Sequence, residues 1–272
     1  MRIAHAMLSV AAMLAQEPDA REIVRRSVDA NDRNWKIARN YTFLERDEER
    51  RLDSAGQVKS KKIETHDVTL LEGSPYRRLV ERDDRALTPD EEKHERRKLE
   101  QSIAERSKET PADRNRRIAE FEKRRERDRA LMREVAEAFD FRIAGTDQVD
   151  GRDVWVIEAT PSKGYEPRGR EAKIFPGVNG KLWIDRQTLQ WVKVEAEVIK
   201  TVSWGLFLLR LDPGGRVSLE QTRVNDEVWL PRRVIVAGSA RIGLIKKVRM
   251  QEEITYSKFR RFQADSRLVP AE

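Results

Sequence analysis

Hydrophobic positions at the start of the chain follow a helical spacing and then change to the alternation of strands. Over residues 18–39, Val24, Val28 and Trp35 fall on one face, and arginines occupy the other face. This spacing predicts an amphipathic helix with one buried stripe. Three strands are predicted next, and turn residues separate them; they cover residues 41–52, 58–71 and 76–81.

A strongly charged segment, residues 88–138, interrupts the strand pattern. Thr-Pro occurs at 88–89 and again at 110–111, each time followed by acidic residues. A threonine N-cap, a proline in the first turn and early acids are typical of helix starts. We therefore expect helices over 89–108 and 111–138. Their apolar stripe is thin, so the hairpin either projects from the sheet or lies across it.

From residue 141 onwards the period-two pattern returns and continues to the end of the chain. About six to eight strands in meander order are expected from the alternating runs and turn signals. A sheet of this length should twist and curl. The predicted fold is α+β: a strongly curved antiparallel sheet, an open half-barrel, packed on the N-terminal helix. Residues 17–272 would form one domain, interrupted by the inserted helical hairpin over 88–138.

The first residues resemble a secretory signal peptide. Arg2 precedes a short apolar run over 3–15, and Gln16-Glu17-Pro18 follows as a polar break. The pattern predicts a signal peptide over 1–16 and therefore export. The alternative is a plain N-terminal helix. The chain has no cysteine, so we expect neither disulfides nor a lipid anchor on an N-terminal cysteine.

Composition and motifs favour a non-catalytic protein. The 55 basic and 48 acidic residues are mixed along the chain, whereas a nucleic-acid-binding protein concentrates basic residues on one face. The three histidines are isolated at 5, 66 and 94, and no HExxH, Walker or G-x-S-x-G motif occurs. We therefore expect no nucleic acid, no metal, no cofactor and no catalytic residue.

Apolar residues of the C-terminal sheet supply the candidate binding surface. The segment from Trp204 to Leu209 is apolar on both faces, so the hairpin, a partner or a lipid surface should cover its second side. Alternation along the strands gives nine candidate residues that would line an apolar concave cavity; they are Trp183, Val194, Val198, Trp204, Leu206, Val234, Val236, Val248 and Met250.

Three C-terminal segments resemble the LolA/LolB-like superfamily of periplasmic lipoprotein carriers. They are Gly-Arg-Asp-Val-Trp-Val-Ile-Glu-Ala-Thr-Pro at 151–161, Gly-Lys-Leu-Trp-Ile-Asp-Arg-Gln-Thr-Leu-Gln-Trp-Val-Lys-Val-Glu at 180–195, and Ile-Thr-Tyr-Ser-Lys-Phe-Arg-Arg-Phe at 254–262. The resemblance implies an open half-barrel around helices, with acyl chains held in an apolar cavity, and a periplasmic location. The helical insertion over 88–138 departs from this pattern.

Two functional hypotheses follow. The first is a soluble, non-catalytic periplasmic carrier that binds a lipid or the acyl chain of a lipoprotein. The second is an envelope scaffold or sensory module that docks a protein partner through the charged helices between Pro89 and Ala138.

Overall fold

The N-terminal helix forms where the sequence predicts it. In a computed structural model, which describes residues 19–204, 209–242 and 246–262, helix α1 covers Ala20–Ala38. Asp19 caps it, since its carboxylate accepts a hydrogen bond from the Arg21 N–H at 3.0 Å. The signal peptide predicted over residues 1–16 lies outside the described residues.

The charged segment folds into the two predicted helices, α2 (Pro89–Ser107) and α3 (Pro111–Ala138). A capping box begins α2, because the Thr88 hydroxyl accepts from the Glu91 N–H and the Glu91 carboxylate accepts from the Thr88 N–H. The Thr110 hydroxyl accepts from the Asp113 N–H at the start of α3. Local capping therefore sets both helix starts.

Thirteen strands and one 3-10 helix complete the described chain. The 3-10 helix covers Glu171–Gly177. The strands are β1 (Tyr41–Leu52), β2 (Val58–Leu71), β3 (Ser74–Arg82), β4 (Arg85–Ala86), β5 (Phe139–Val149), β6 (Arg152–Pro161), β7 (Val178–Asp185), β8 (Trp191–Val198), β9 (Val202–Trp204), β10 (Leu209–Leu211), β11 (Arg216–Val224), β12 (Val228–Ile242) and β13 (Lys246–Arg261).

The strands form one antiparallel sheet whose two ends do not pair with each other. The order is β4-β3-β2-β1-β13-β12-β11-β8-β7-β6-β5, and β10 and β9 extend from β12. The predicted fold class is confirmed: this is an α+β protein with a curved, open half-barrel sheet. Nine described strands follow α3, where about six to eight were expected from the turn signals.

Strand β12 is one long strand that continues past Pro231. Pro231 pairs with Gln221 and Arg233 pairs with Glu220, so Arg232 is an extra residue opposite this pair. A bulge lets a strand continue past a proline. Pairing of β12 with β13 begins only at Arg233, so the missing N–H of Pro231 interrupts no ladder there.

The sheet is buried on both faces near β6, β7 and β8. On the face that contacts α1, Ile157, Leu182 and Ile184 pack with Ile23, Val24 and other residues of α1. We call this side the helix face. On the opposite face, Val154, Trp183 and Val192 form a second cluster with Trp229.

Helix α3 lies across the open side of the half-barrel, between the two ends of the sheet. Its 28 residues span about 42 Å at 1.5 Å per residue. Near its start, Ile118 packs against Gly73 in the turn between β2 and β3. Near its end, Met132 and Val135 pack against the core cluster beneath α1. Of the two arrangements left open by the sequence, the structure therefore has the hairpin lying across the sheet.

Candidate binding surface

An apolar row crosses the helix face of four neighbouring strands. Leu219 pairs with both Val194 and Val234, and Val234 pairs with Ile254 on β13. Two residues further along β11, Val217 pairs with Val236. Directly paired residues project from the same face of a sheet. We call these six residues the apolar row: Val194, Val217, Leu219, Val234, Val236 and Ile254.

The row extends beyond the part of the sheet that α1 covers. The described contacts of α1 with β12 fall at Val228, Trp229 and Leu230. Val217 is 40% exposed, and the other members of the row are half-buried. A connected group of exposed and half-buried aliphatic side chains is a feature of binding surfaces.

Five of the predicted lining residues lie on or beside this row. Val194, Val234 and Val236 are members of it. Met250 and Val248 are half-buried on the same face of β13, two and four residues beyond Glu252. The acidic residue Glu252 therefore separates Ile254 from Met250.

The structure places Trp183 and Val198 elsewhere. Trp183 is 8% exposed in the cluster on the opposite face, and its indole N–H donates to Asp147 at 3.4 Å. Val198 is buried with Val178 and Val202. The side chain of Trp204 and the whole of Leu206 lie outside the described residues.

Carboxylates border the row on the side of β1. Asp47 pairs with Ile254, and Glu252 pairs with Val236 and with Glu49. Neither Asp47 nor Glu252 has an ion-pair partner within 4.0 Å among the residues that the structure describes. Burial raises the pKa of both carboxyl groups, and the neighbouring carboxylates raise the pKa of Glu252 further. The apolar surface therefore has a negatively charged border.

A cavity of about 270 Å³ opens between α1, α3 and the first residues of β12. Its apolar wall includes Val28, Met132 and Leu230, and Gln221 and Pro231 lie at its sheet side. Arg125 stacks on Trp35, with 3.4 Å from the guanidinium carbon to the ring centroid. Burial lowers the pKa of Arg125 to about 10, a direction typical of a cation held in a partly desolvated position.

Two other cavities have polar or mixed walls. One of about 530 Å³ lies along β7, β8, β11 and β12, and its wall includes Lys181, Glu195 and Ser218. The other, of about 550 Å³, lies between α2 and β3, where His66 and Arg77 face Glu95 and Lys98. None of the seven predicted lining residues whose side chains the structure describes lines any of these three cavities.

Sequence reasoning missed three important features of this region. Val217 and Leu219 alternate with polar residues on β11, and that period-two signal alone could have added them to the candidates. Arg125 has no comparable signal, because it is one of many arginines on α3. Only the packing of α3 on α1 distinguishes it.

Within residues 19–204, 209–242 and 246–262, no group of three or more histidine, aspartate or glutamate side chains is arranged so that it could hold a metal ion. Within the same ranges, no helix is long and apolar enough to cross a membrane.

Comparison with known proteins gives structural similarity without a sequence family. No family model matches the chain, and no curated protein matches it either. A solved domain described as an outer membrane lipoprotein-sorting protein, from Vibrio parahaemolyticus, is 11% identical. The alignment covers 90% of this chain and 95% of that chain, with a TM-score of 0.36.

Two further structures show a similar level of likeness. A LolA superfamily protein from Nitrosomonas europaea is 11% identical, with 91% and 94% of the two chains covered and a TM-score of 0.34. A DUF1329 family protein from Desulfovibrio piger is 12% identical, with 90% and 95% covered and a TM-score of 0.34. The resemblance to LolA-superfamily proteins that the sequence indicated is confirmed as a likeness among solved structures.

Proposed function

We propose that the protein is a non-catalytic carrier that binds an apolar chain, such as the acyl chain of a lipid or lipoprotein, on the apolar row. The observation that carries this proposal is the continuation of the row past the end of α1 on the helix face. Val217 and Val236 lie there as a direct pair, half-buried or exposed, with no described helix contact.

Affinity would come from removing apolar surface from water. Each Å² of apolar area buried contributes about 25 cal/mol, so a chain that covers several aliphatic side chains gains useful binding energy without any polar contact. Met250 and Val248 on the same face of β13 would extend the contact beyond Glu252. Trp183 lies in the cluster on the opposite face and would contribute only to the core.

A charge placed on the row tests the proposal. Val217→Glu should weaken saturable binding of a fluorescent fatty acid at least tenfold, or about 1.4 kcal/mol, because a carboxylate against an alkyl chain is costly to desolvate. Val217 is 40% exposed, so the fold should tolerate the change. Val58→Glu is the matched control, since Val58 is a 56% exposed strand valine outside the row.

The alternative, docking of a protein partner through the hairpin, has weaker support. The few apolar residues of α3 are already used within the molecule, where Ile118 contacts Gly73 and Met132 and Val135 pack on the core. If wild-type protein binds no fatty-acid probe and no lipid co-purifies with it, the carrier proposal fails. The outward, charged side of the hairpin then becomes the better candidate.

We also propose that the protein is exported to the periplasm. The support is the pattern of Arg2, the apolar run over 3–15 and the polar break at 16–18. Mass analysis of protein from the native envelope should find a mature chain that begins between Ala15 and Pro18. A cytosolic protein that retains Met1 would contradict export.

A further inference from the structure

We propose that the cavity between α1 and α3 binds the anionic head group of an amphiphile whose apolar chain lies on the apolar row, and that Arg125 is the residue that holds the anion. This inference rests on the proposed function and specifies the class of ligand: a carboxylate or phosphate attached to a single alkyl chain.

Arg125 has unused hydrogen-bonding capacity. In the part of the chain that the structure describes, its guanidinium stacks on the rings of Trp35, at 3.4 Å, and Phe121, at 4.9 Å, and the charges of Glu122 and Asp128 act on it from beyond ion-pair distance. No hydrogen bond or ion pair of Arg125 is present there, although a guanidinium carries five N–H donors. The side chain is half-buried. A half-buried guanidinium without an acceptor is well suited to an anion, which it can bind through two parallel hydrogen bonds.

The other charged groups of the cavity leave its anion site available. Asp32 accepts two hydrogen bonds from Arg129, at 2.8 and 2.9 Å, and lies 3.4 Å from Arg133. Its negative charge is therefore already compensated. Asp128 also lines the cavity, but its side chain is exposed. Three arginines face two aspartates at this site, so the cavity has an excess of positive charge.

The cavity continues into the apolar row along β11 and β12. Gln221 and Pro231, at the sheet side of the cavity, are a direct pair. The Leu219–Val234 pair lies two residues further along β11, after the bulge and the Glu220–Arg233 pair. From Gln221 to Val217 is four residues, or about 14 Å at 3.4 Å per residue. A fatty acid the length of dodecanoate spans that distance with its carboxylate beside Arg125.

The size of the cavity fits a head group and the first part of a chain. Its 270 Å³ corresponds to about nine water molecules at 30 Å³ each. The carboxylates Asp47 and Glu252 border the row further along the sheet, where they would repel an anion. An anionic amphiphile is therefore favoured in one orientation, with its head under α3.

The experiment compares dodecanoate and dodecyl phosphate with dodecanol, which has the same chain without the charge. Wild-type protein should bind at least one of the two anions at least tenfold more tightly than dodecanol by calorimetry. Arg125→Gln should remove this preference while leaving dodecanol binding unchanged. Arg125→Lys keeps the positive charge but loses the planar guanidinium with its paired donors, so it should retain part of the preference for the anions. Arg124→Gln is the matched control, because Arg124 is exposed and lies outside the cavity.

The outcomes separate this inference from the proposed function. Equal affinity for all three ligands in wild-type protein, or a preference that survives Arg125→Gln, overturns the anion site and leaves a carrier of neutral chains. Absence of binding for all three probes overturns both. Urea unfolding of each variant shows whether the fold is intact, and Arg125→Lys supplies the comparison if Arg125→Gln is unstable. A stronger preference for dodecyl phosphate assigns a phosphate head group, and one for dodecanoate assigns a carboxylate.

Discussion

The guanidinium of Arg129 donates to both carboxylate oxygens of Asp32, at 2.8 and 2.9 Å, and so joins α3 to α1. The same two helices meet at Arg125 on Trp35 and at Arg39 with Glu122. Residue numbers rise along α3 as they fall along α1, so the helices run antiparallel. Helix α3 is therefore part of the packed structure.

Removing this ion pair should loosen α3. Asp32→Ala is expected to destabilise the protein by about 1 kcal/mol, the upper end for a pair that is one-third exposed. The measurement is a urea double-mutant cycle with Arg129→Ala. A coupling energy near zero would show that the Asp32–Arg129 pair does not help to hold α3 on α1. Glu126→Ala serves as a control, because Glu126 pairs with the same arginine from within α3.

How much of this arrangement can be predicted from the sequence depends on which forces set each feature. Thr88 and Thr110 mark the helix starts because capping is local. The position of α3 is not local: the apolar residues Met132 and Val135 form a stripe that could face a partner, a sheet or the other helix.

In the candidate site, too, the sequence predicts local features but not those set by contacts between strands. Alternation places Val234 and Val236 on one face, and the structure agrees. Trp183 was grouped with Val194, but in the regular part of the β7–β8 ladder Leu182 pairs with Val194 and Trp183 pairs with Lys193, so Trp183 projects from the opposite face. The register between two strands decides this, and it leaves no signal within a single strand.

The buried Ser27 hydroxyl and Trp191 indole offer a second test, of the core beneath α1. The indole N–H of Trp191 donates to Ser27 at 2.7 Å, and both residues are buried. Ser27→Ala should cost about 1–3 kcal/mol, because it leaves a buried donor without a partner. Trp191→Phe in the Ser27→Ala background should cost less than Trp191→Phe alone, as measured by urea unfolding. Additive effects would contradict a functional hydrogen bond.

Asp185 should make stability depend on pH below neutrality. Burial raises the pKa of Asp185, but hydrogen bonds from Arg152 and Thr188 outweigh this, so the pKa lies below its usual value. A lowered pKa contributes stability that is present above the unfolded-state pKa, about 3.9, and is lost as the pH falls through the folded value. Asp185→Asn should therefore destabilise the protein at pH 7 and flatten the decline of stability below about pH 4. An unchanged acid-unfolding profile in the variant would argue against this role.

The contribution of Glu252 to stability should depend on pH with the opposite sign. Its pKa is raised by burial and by Asp47, Glu49 and Glu45, so its contribution to stability is fully present below the unfolded-state pKa and is lost as the pH rises through the folded value. Glu252→Gln should stabilise the protein at pH 7, by less than about 1 kcal/mol for a partly solvated group, with no gain at pH 3. Glu253→Gln is the control, since Glu253 is paired with Arg233. Destabilisation by Glu252→Gln at pH 7 would mean that the carboxylate has a favourable partner.

Deleting α2 and deleting α3 should have unequal effects on the cooperativity of unfolding. The sequence suggested instead that residues 88–138 form one insertion. Helix α2 has a single buried residue, Glu95, and its Arg106 donates to the carbonyls of Leu71 at the end of β2 and Ser74 at the start of β3. Replacing residues 89–107 with a Gly/Ser linker should therefore leave a cooperative urea transition, because little apolar surface is lost. Removing 111–138 should broaden or abolish that transition, since Met132, Val135 and Ala136 pack on the core cluster and Ala138 is fully buried. Ala136→Asp tests the same point in the full-length chain, because it places a charge against that cluster. Cooperative unfolding that survives the removal of α3 would mean that the sheet and α1 form a complete core without it.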